Sequence, residues 1–162
     1  LAKLAQEKLS LIVEKDDTYS ITRVLKSYDN LESYRGHFDS HLFTIVTAVR
    51  MPEAKSKESG QLIVFPKIRK EPRNEGMNIY DKIKYKLIYG HKSGFQTLMK
   101  RNMFVELDFK DLSSIIFLGR QCFHGNRSFA EAPNGLRITI LTHFFDPSEG
   151  GIGSLLRKIR SR

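Results

Sequence analysis

The chain has a single cysteine, Cys122, no tryptophan and five prolines among 162 residues. One thiol excludes an intramolecular disulfide framework, a Cys-x-x-Cys redox motif and a four-cysteine metal site. A reducing cytoplasm is the compartment to expect from it. Long apolar runs are also lacking. The stretch Leu42–Val49 already carries polar residues, and it is far shorter than the roughly 20 apolar residues a membrane-spanning helix needs. No internal repeat, low-complexity tract or Gly-x-Gly-x-x-Gly turn occurs, and strands do not alternate with helical patterns, which argues against a doubly wound nucleotide-binding fold. What remains is 40% hydrophobic and 28% charged. Those values exclude wholesale disorder and a collagen-like fibre, and the length suits one domain over residues 1–162.

The charge is uneven. Lysine and arginine number 27 against 18 acids, a net of +9. Residues 67–101 hold ten basic and three acidic residues, a net of +7, and residues 150–162 add Arg157, Lys158, Arg160 and Arg162, a net of +4. The rest of the chain therefore sums to −2. A basic insertion and a basic tail on a nearly neutral body attract anions: nucleic acid, an acidic membrane surface, a phosphorylated substrate or an acidic carrier protein. A merely solvated surface is the plainer alternative.

Leu1, Leu4, Ala5, Leu9, Ile12 and Val13 make a helical stripe over residues 1–15. From Tyr19 to Tyr28, and again from His37 to Arg50, β-branched and aromatic residues predict strands. Short strands are also expected at 61–66, 103–108, 114–118 and 136–145. Residues 67–101 read as irregular with a short helix near 78–89, and 154–160 as a short basic amphipathic helix. Short strands with a helix before and behind predict a mostly β sandwich or jelly roll with N- and C-terminal flanking helices.

Of five histidines, His37 is the informative one, because His37-Phe38-Asp39 puts an imidazole and a carboxylate on one face of a strand. A third ligand from a distant strand completes two histidines and one carboxylate. That set leaves coordination positions open, the arrangement favoured by non-haem Fe(II) oxygenases. Downstream come Ser59-Gly60-Gln61-Leu62-Ile63-Val64-Phe65-Pro66, then Phe117-Leu118-Gly119-Arg120-Gln121-Cys122-Phe123-His124-Gly125, then Gly135-Leu136-Arg137-Ile138-Thr139.

In motif order this resembles the Fe(II)- and 2-oxoglutarate-dependent dioxygenases, in particular the phytanoyl-CoA and prolyl hydroxylase-like branch, over roughly residues 19–147. The resemblance implies a double-stranded β-helix (jelly roll) and a hydroxylase using Fe(II), 2-oxoglutarate and O2, with ascorbate in support. It implies His37, Asp39 and His124 as iron ligands, and Arg137 as the partner of the distal 2-oxoglutarate carboxylate. A guanidinium's planar fork suits that role. Thr139 shares the face of Arg137, and Tyr19 or Tyr28 is the expected phenolic donor to the same co-substrate. Arg137 follows His124 by 13 residues, longer than the family pattern, which keeps Arg120 and Arg127 as reserve candidates. The fuller Arg-x-Asn-x-Thr-x-Arg pattern of nucleic-acid demethylases is missing, so nucleic acid is not the expected partner. The expected substrate is a small or carrier-bound anion recognised by the basic insertion. The alternatives are a basic polyanion- or nucleic-acid-binding β-domain, and a non-catalytic jelly-roll relative. His41 is expected to line the pocket or face solvent, His143 to pack, His91 to be exposed, and Cys122 to be a small buried apolar residue.

Overall fold

A computed structural model of the chain describes residues 1–9, 18–26, 33–52, 60–72, 74–128 and 135–145. Its elements run α1 (Ala2–Leu9), β1 (Thr18–Lys26), β2 (Phe43–Arg50), β3 (Leu62–Phe65), α2 (Glu75–Tyr89), α3 (Lys92–Arg101), β4 (Val105–Leu107), β5 (Ser114–Phe117), β6 (Phe123–Asn126) and β7 (Leu136–Phe144). The strands form a four-stranded sheet ordered β1-β7-β2-β5 and a three-stranded sheet ordered β4-β3-β6. Every pairing within them is antiparallel. The expected β-rich architecture is present. The expected C-terminal helix and Tyr28 lie outside the described residues.

Alternation sorts side chains between layers. On β3, Leu62 and Val64 point toward the four-stranded sheet and pack with Cys122, Leu107, Phe109, Ile115 and Phe117. Ile63 and Phe65 point the other way, into a cluster with Phe38, Phe95, Leu98 and Phe123. All four β3 residues are therefore buried, as expected for a strand covered on both faces. Phe123 is fully buried against Phe65, Phe95 and Phe38 with ring centroids 5.1 to 6.2 Å apart. Its burial alone contributes on the order of 2–3 kcal/mol. The outer face of the four-stranded sheet, through Phe43 and Phe144, is capped by Ala5 of α1.

In the insertion at 67–101 the helix expected near 78–89 is present and begins earlier, as α2, and a second helix, α3, follows where irregular chain was expected. Asn74 caps α2, its side chain accepting from the Met77 amide at 2.9 Å. His91 caps α3 by accepting from the Gly94 amide at 3.2 Å, which keeps it exposed, as expected. The helical signal was obscured because the apolar residues of α2 lie on two faces. Tyr85 and Tyr89 turn toward the core cluster, while Tyr80, Ile83 and Leu87 face solvent. The strand expected from His37 onward also differs. Regular pairing begins only at Phe43, and His37 makes an isolated bridge to His124.

Candidate metal centre

The segment 33–42 crosses from the three-stranded sheet to the start of β2, and two glycines let it pass closely. A Cβ on Gly36 would sit 2.3 Å from the Phe123 ring, and one on Gly119 would sit 2.3 Å from the Thr44 hydroxyl oxygen and 2.7 Å from Asp39 Oδ2. His37 and His124 then exchange backbone hydrogen bonds in both directions, each 3.0 Å long. That reciprocal pair brings together side chains 87 residues apart in sequence. The Asp39 amide donates to the Gly119 carbonyl at 3.0 Å.

Three ligand-type atoms converge as a result. His37, Asp39 and His124 offer a donor atom each, all within 4.8 Å of one another. His37 Nε2 is 3.6 Å from Asp39 Oδ1, and His124 Nε2 is 3.5 Å from Asp39 Oδ2. An ion with bonds of about 2.1 Å needs adjacent ligand atoms about 3.0 Å apart, so the two imidazole–carboxylate pairs would close by roughly half an ångström and the widest separation in the set, within 4.8 Å, by more. The tautomers are decided by chemistry. His37 Nδ1 lies 3.0 Å from the Arg35 carbonyl and His124 Nδ1 lies 3.0 Å from the Cys122 carbonyl. A carbonyl only accepts, so both rings carry their proton on Nδ1 and turn the Nε2 lone pair inward. This is the orienting partner that metal-binding histidines ordinarily have.

The charge state agrees. Burial alone would raise the Asp39 carboxyl, but His124, His37 and the Thr44 hydroxyl outweigh it and hold the group well below the usual carboxylate range. Burial pushes His124 down to about 4, against the opposing pull of Asp39. At neutral pH the site is thus a carboxylate beside a neutral imidazole, as a metal requires. The His37 side chain is 47% exposed while those of Asp39 and His124 are 11% and 6% exposed. The centre is closed behind and open over His37.

Sequence reasoning did not single out Thr44. It is fully buried and donates to Asp39 Oδ2 at 2.5 Å. Having given its proton to a carboxylate, its oxygen accepts from His143 Nδ1 at 3.3 Å. His143, opposite Thr44 in the β2–β7 register, stacks on His41 and Tyr19 with centroids 4.8 and 5.1 Å away. The expected packing role of His143 is what the structure shows, and His41 stacks beside it. The Cys122 thiol is buried and pushed up to about 11 by burial.

The three arginines separate clearly. Arg120 pairs with Glu71 at 2.9 Å and Glu75 at 3.0 Å, and Arg127 forks onto Glu106 at 2.6 and 2.9 Å. Arg137 is buried, its Nη2 donates to the Asn126 side-chain oxygen at 3.0 Å, and its Nε has no partner among the described residues. Burial, with repulsion from Arg23, lowers its pKa to about 10. Thr139, also buried, shares its face of β7. Asn126 lies two residues beyond His124 on the same face of β6, roughly 7 Å along the strand. Tyr19 is elsewhere. Leu25 sits opposite Arg137, while Tyr19 sits opposite His143 at the other end of β7.

No helix among the described residues is long and apolar enough to cross a membrane. No protein-family model matches the chain, and no curated protein matches it.

Proposed function

We propose that this chain is an Fe(II)- and 2-oxoglutarate-dependent hydroxylase on a jelly-roll fold, acting in the cytoplasm on an anionic substrate. The observation that carries the reading is the convergence of His37, Asp39 and His124, with both imidazole lone pairs turned inward and one side open. Two histidines and a carboxylate form a facial set that leaves room for further ligands. Fe(II) bound there, with 2-oxoglutarate and O2, would supply the oxidising chemistry of hydroxylation. The residues of the chain would bind, orient and exclude water around it.

Arg137 supports the co-substrate. A buried guanidinium with no carboxylate partner among the described residues is costly unless an anion joins it. Arg120 and Arg127 already hold glutamates, which favours Arg137 over both. Asn126, to which the Arg137 fork is tied, lies two residues along β6 from His124, which puts the guanidinium's anchor and the proposed ion site on one face of that strand. Thr139, on the same face, is positioned to add a hydroxyl donor. Thr44 holds Asp39 in one rotamer, and the carbonyls of Arg35 and Cys122 hold the imidazoles.

The basic insertion supports the substrate class. Lys82 Nζ donates to the hydroxyl of Ser40, the residue after Asp39, at 2.8 Å. Lys84 and Lys86 are exposed on other faces of α2. Of the three lysines, Lys82 is the one to meet an anionic substrate.

Succinate release from 2-oxoglutarate, measured with added Fe(II) and ascorbate, tests the reading. Wild type should turn over and Asp39→Ala should not. Equal release from both proteins removes the hydroxylase, and salt-sensitive polyanion binding indifferent to His37 and Asp39 would favour the polyanion-binding domain instead.

A further inference from the structure

Helix α2 turns an apolar face away from the rest of the described protein. Met77, Tyr80, Ile83, Leu87 and Ile88 are 46% to 73% exposed. At 3.6 residues per turn these five fall on one arc of roughly 140°. The opposite side is fixed to the body. Asn78 is fully buried, and the Tyr85 hydroxyl donates to the Ile68 carbonyl at 3.2 Å.

The same geometry sorts the charges. Both acids of α2 turn inward: Glu75 meets Arg120 at 3.0 Å and Asp81 meets Arg69 at 3.3 Å. Lys84 lies within the apolar arc and Lys86 stands off to one side of the helix, both exposed. On α3, Lys92, Lys100 and Arg101 are exposed as well, and that helix has no acid. The outward surface of α2 is therefore aliphatic and positive, with its negative charge neutralised behind it.

We propose that the outer face of α2 docks on an anionic lipid surface. Its apolar side chains would enter the boundary between headgroups and acyl chains, and its lysines would meet the phosphates. A helix of 15 residues is about 22 Å long, so it lies in the interface plane rather than spanning. A second copy of the chain suits this face poorly, because a two-fold contact centred on the arc sets Lys84 against its own counterpart. Single-stranded nucleic acid would use the lysines but would find one aromatic ring, Tyr80, for stacking and would leave the aliphatic side chains in water. A lipid interface accepts both kinds of group, since lysine stems lie along apolar surface while the ammonium reaches the headgroup. None of this depends on the metal centre.

Vesicle co-sedimentation of the full chain tests the proposal, using vesicles of phosphatidylcholine alone and of equal parts phosphatidylcholine and phosphatidylglycerol. Wild type should pellet with the mixed vesicles and stay in solution with the neutral ones. The double change I83E and L87E should lower partitioning by roughly tenfold or more, and K84E with K86E by a similar factor. All four positions are exposed, so unchanged thermal unfolding controls for the fold. Absence of binding to mixed vesicles overturns the proposal. So does undiminished binding by the I83E/L87E protein, because generic positive charge would then carry it. Tight binding to an RNA homopolymer without binding to mixed vesicles would also overturn it and assign the surface to nucleic acid.

Discussion

Replacing Arg137 by methionine should leave the protein no less stable and make it blind to 2-oxoglutarate. The residue is 4% exposed, and its guanidinium donates a charge-assisted hydrogen bond to the uncharged Asn126 side chain. Its pKa falls from 12.5 to about 10, so folding disfavours the charged form by about 3 kcal/mol. Losing the Asn126 bond and the contact with the Phe109 ring 5.5 Å away offsets about 2–3 kcal/mol of that. Methionine has a similar length and adapts to irregular space. The net expectation is a gain of at most about 1 kcal/mol, which for a chain of this size leaves Tm unchanged or raises it by up to roughly 4 °C. Wild type, loaded with Mn(II) in place of Fe(II), should gain about 2.7 kcal/mol when 2-oxoglutarate is a hundredfold above its Kd, and the R137M protein should gain nothing. Thermal unfolding followed by circular dichroism, with and without 2-oxoglutarate, reads both effects. A variant that is less stable than wild type and still responds to 2-oxoglutarate would refute the argument, because Arg137 would then be a satisfied structural cation.

Two further outcomes are expected. Thr44→Val removes the donor to Asp39 and the acceptor for His143 with little change of volume, and should weaken Mn(II) binding by roughly 10- to 100-fold in a calorimetric titration, whereas Thr44→Ser should restore most of it; equal losses in the two variants would assign the effect to the methyl group. In chelator-treated protein, the folded-state pKa of His124, about 4 against an ordinary 6.5, means that the unfolded chain takes up the proton first as pH falls. Stability should then drop between pH 6.5 and 4 by at most about 3 kcal/mol from this group, with His143 adding to the slope and Asp39 extending the loss to lower pH. Urea midpoints at pH 7 and pH 5 should separate more in wild type than in His124→Gln, and parallel shifts would sink the assignment.

Much of the β framework was legible because it follows alternation. The patterns at 61–66, 103–108, 114–118 and 136–145 each contain an observed strand, and the one at 19–28 overlaps β1. Strand β6 was not legible. Phe123-His124-Gly125-Asn126 holds two poor strand formers, and it is extended because β3 and His37 pair with it. The helices α2 and α3 were missed or shortened because burial there does not follow hydrophobicity: Asn78 is inside while Leu87 is outside. At the site, His37, Asp39, His124 and Arg137 stood out by residue type and order. Thr44, Gly119 and Asn126 did not, since each matters only through the register that sets it against a distant segment. Tyr19 illustrates the same limit. Its strand was anticipated, but its position along that strand, opposite His143, depends on pairing that no local pattern encodes.

The reciprocal backbone clasp between His37 and His124 has a consequence for biogenesis. During synthesis the first two donors leave the ribosome while the third is still tens of residues from being made. No partial chain can present the full set, so a divalent ion at the proposed centre would be captured only after the stretch around residue 126 has emerged and zipped onto its partners. Loading would thus act as an inspection of finished chains, passing those in which early and late halves have met.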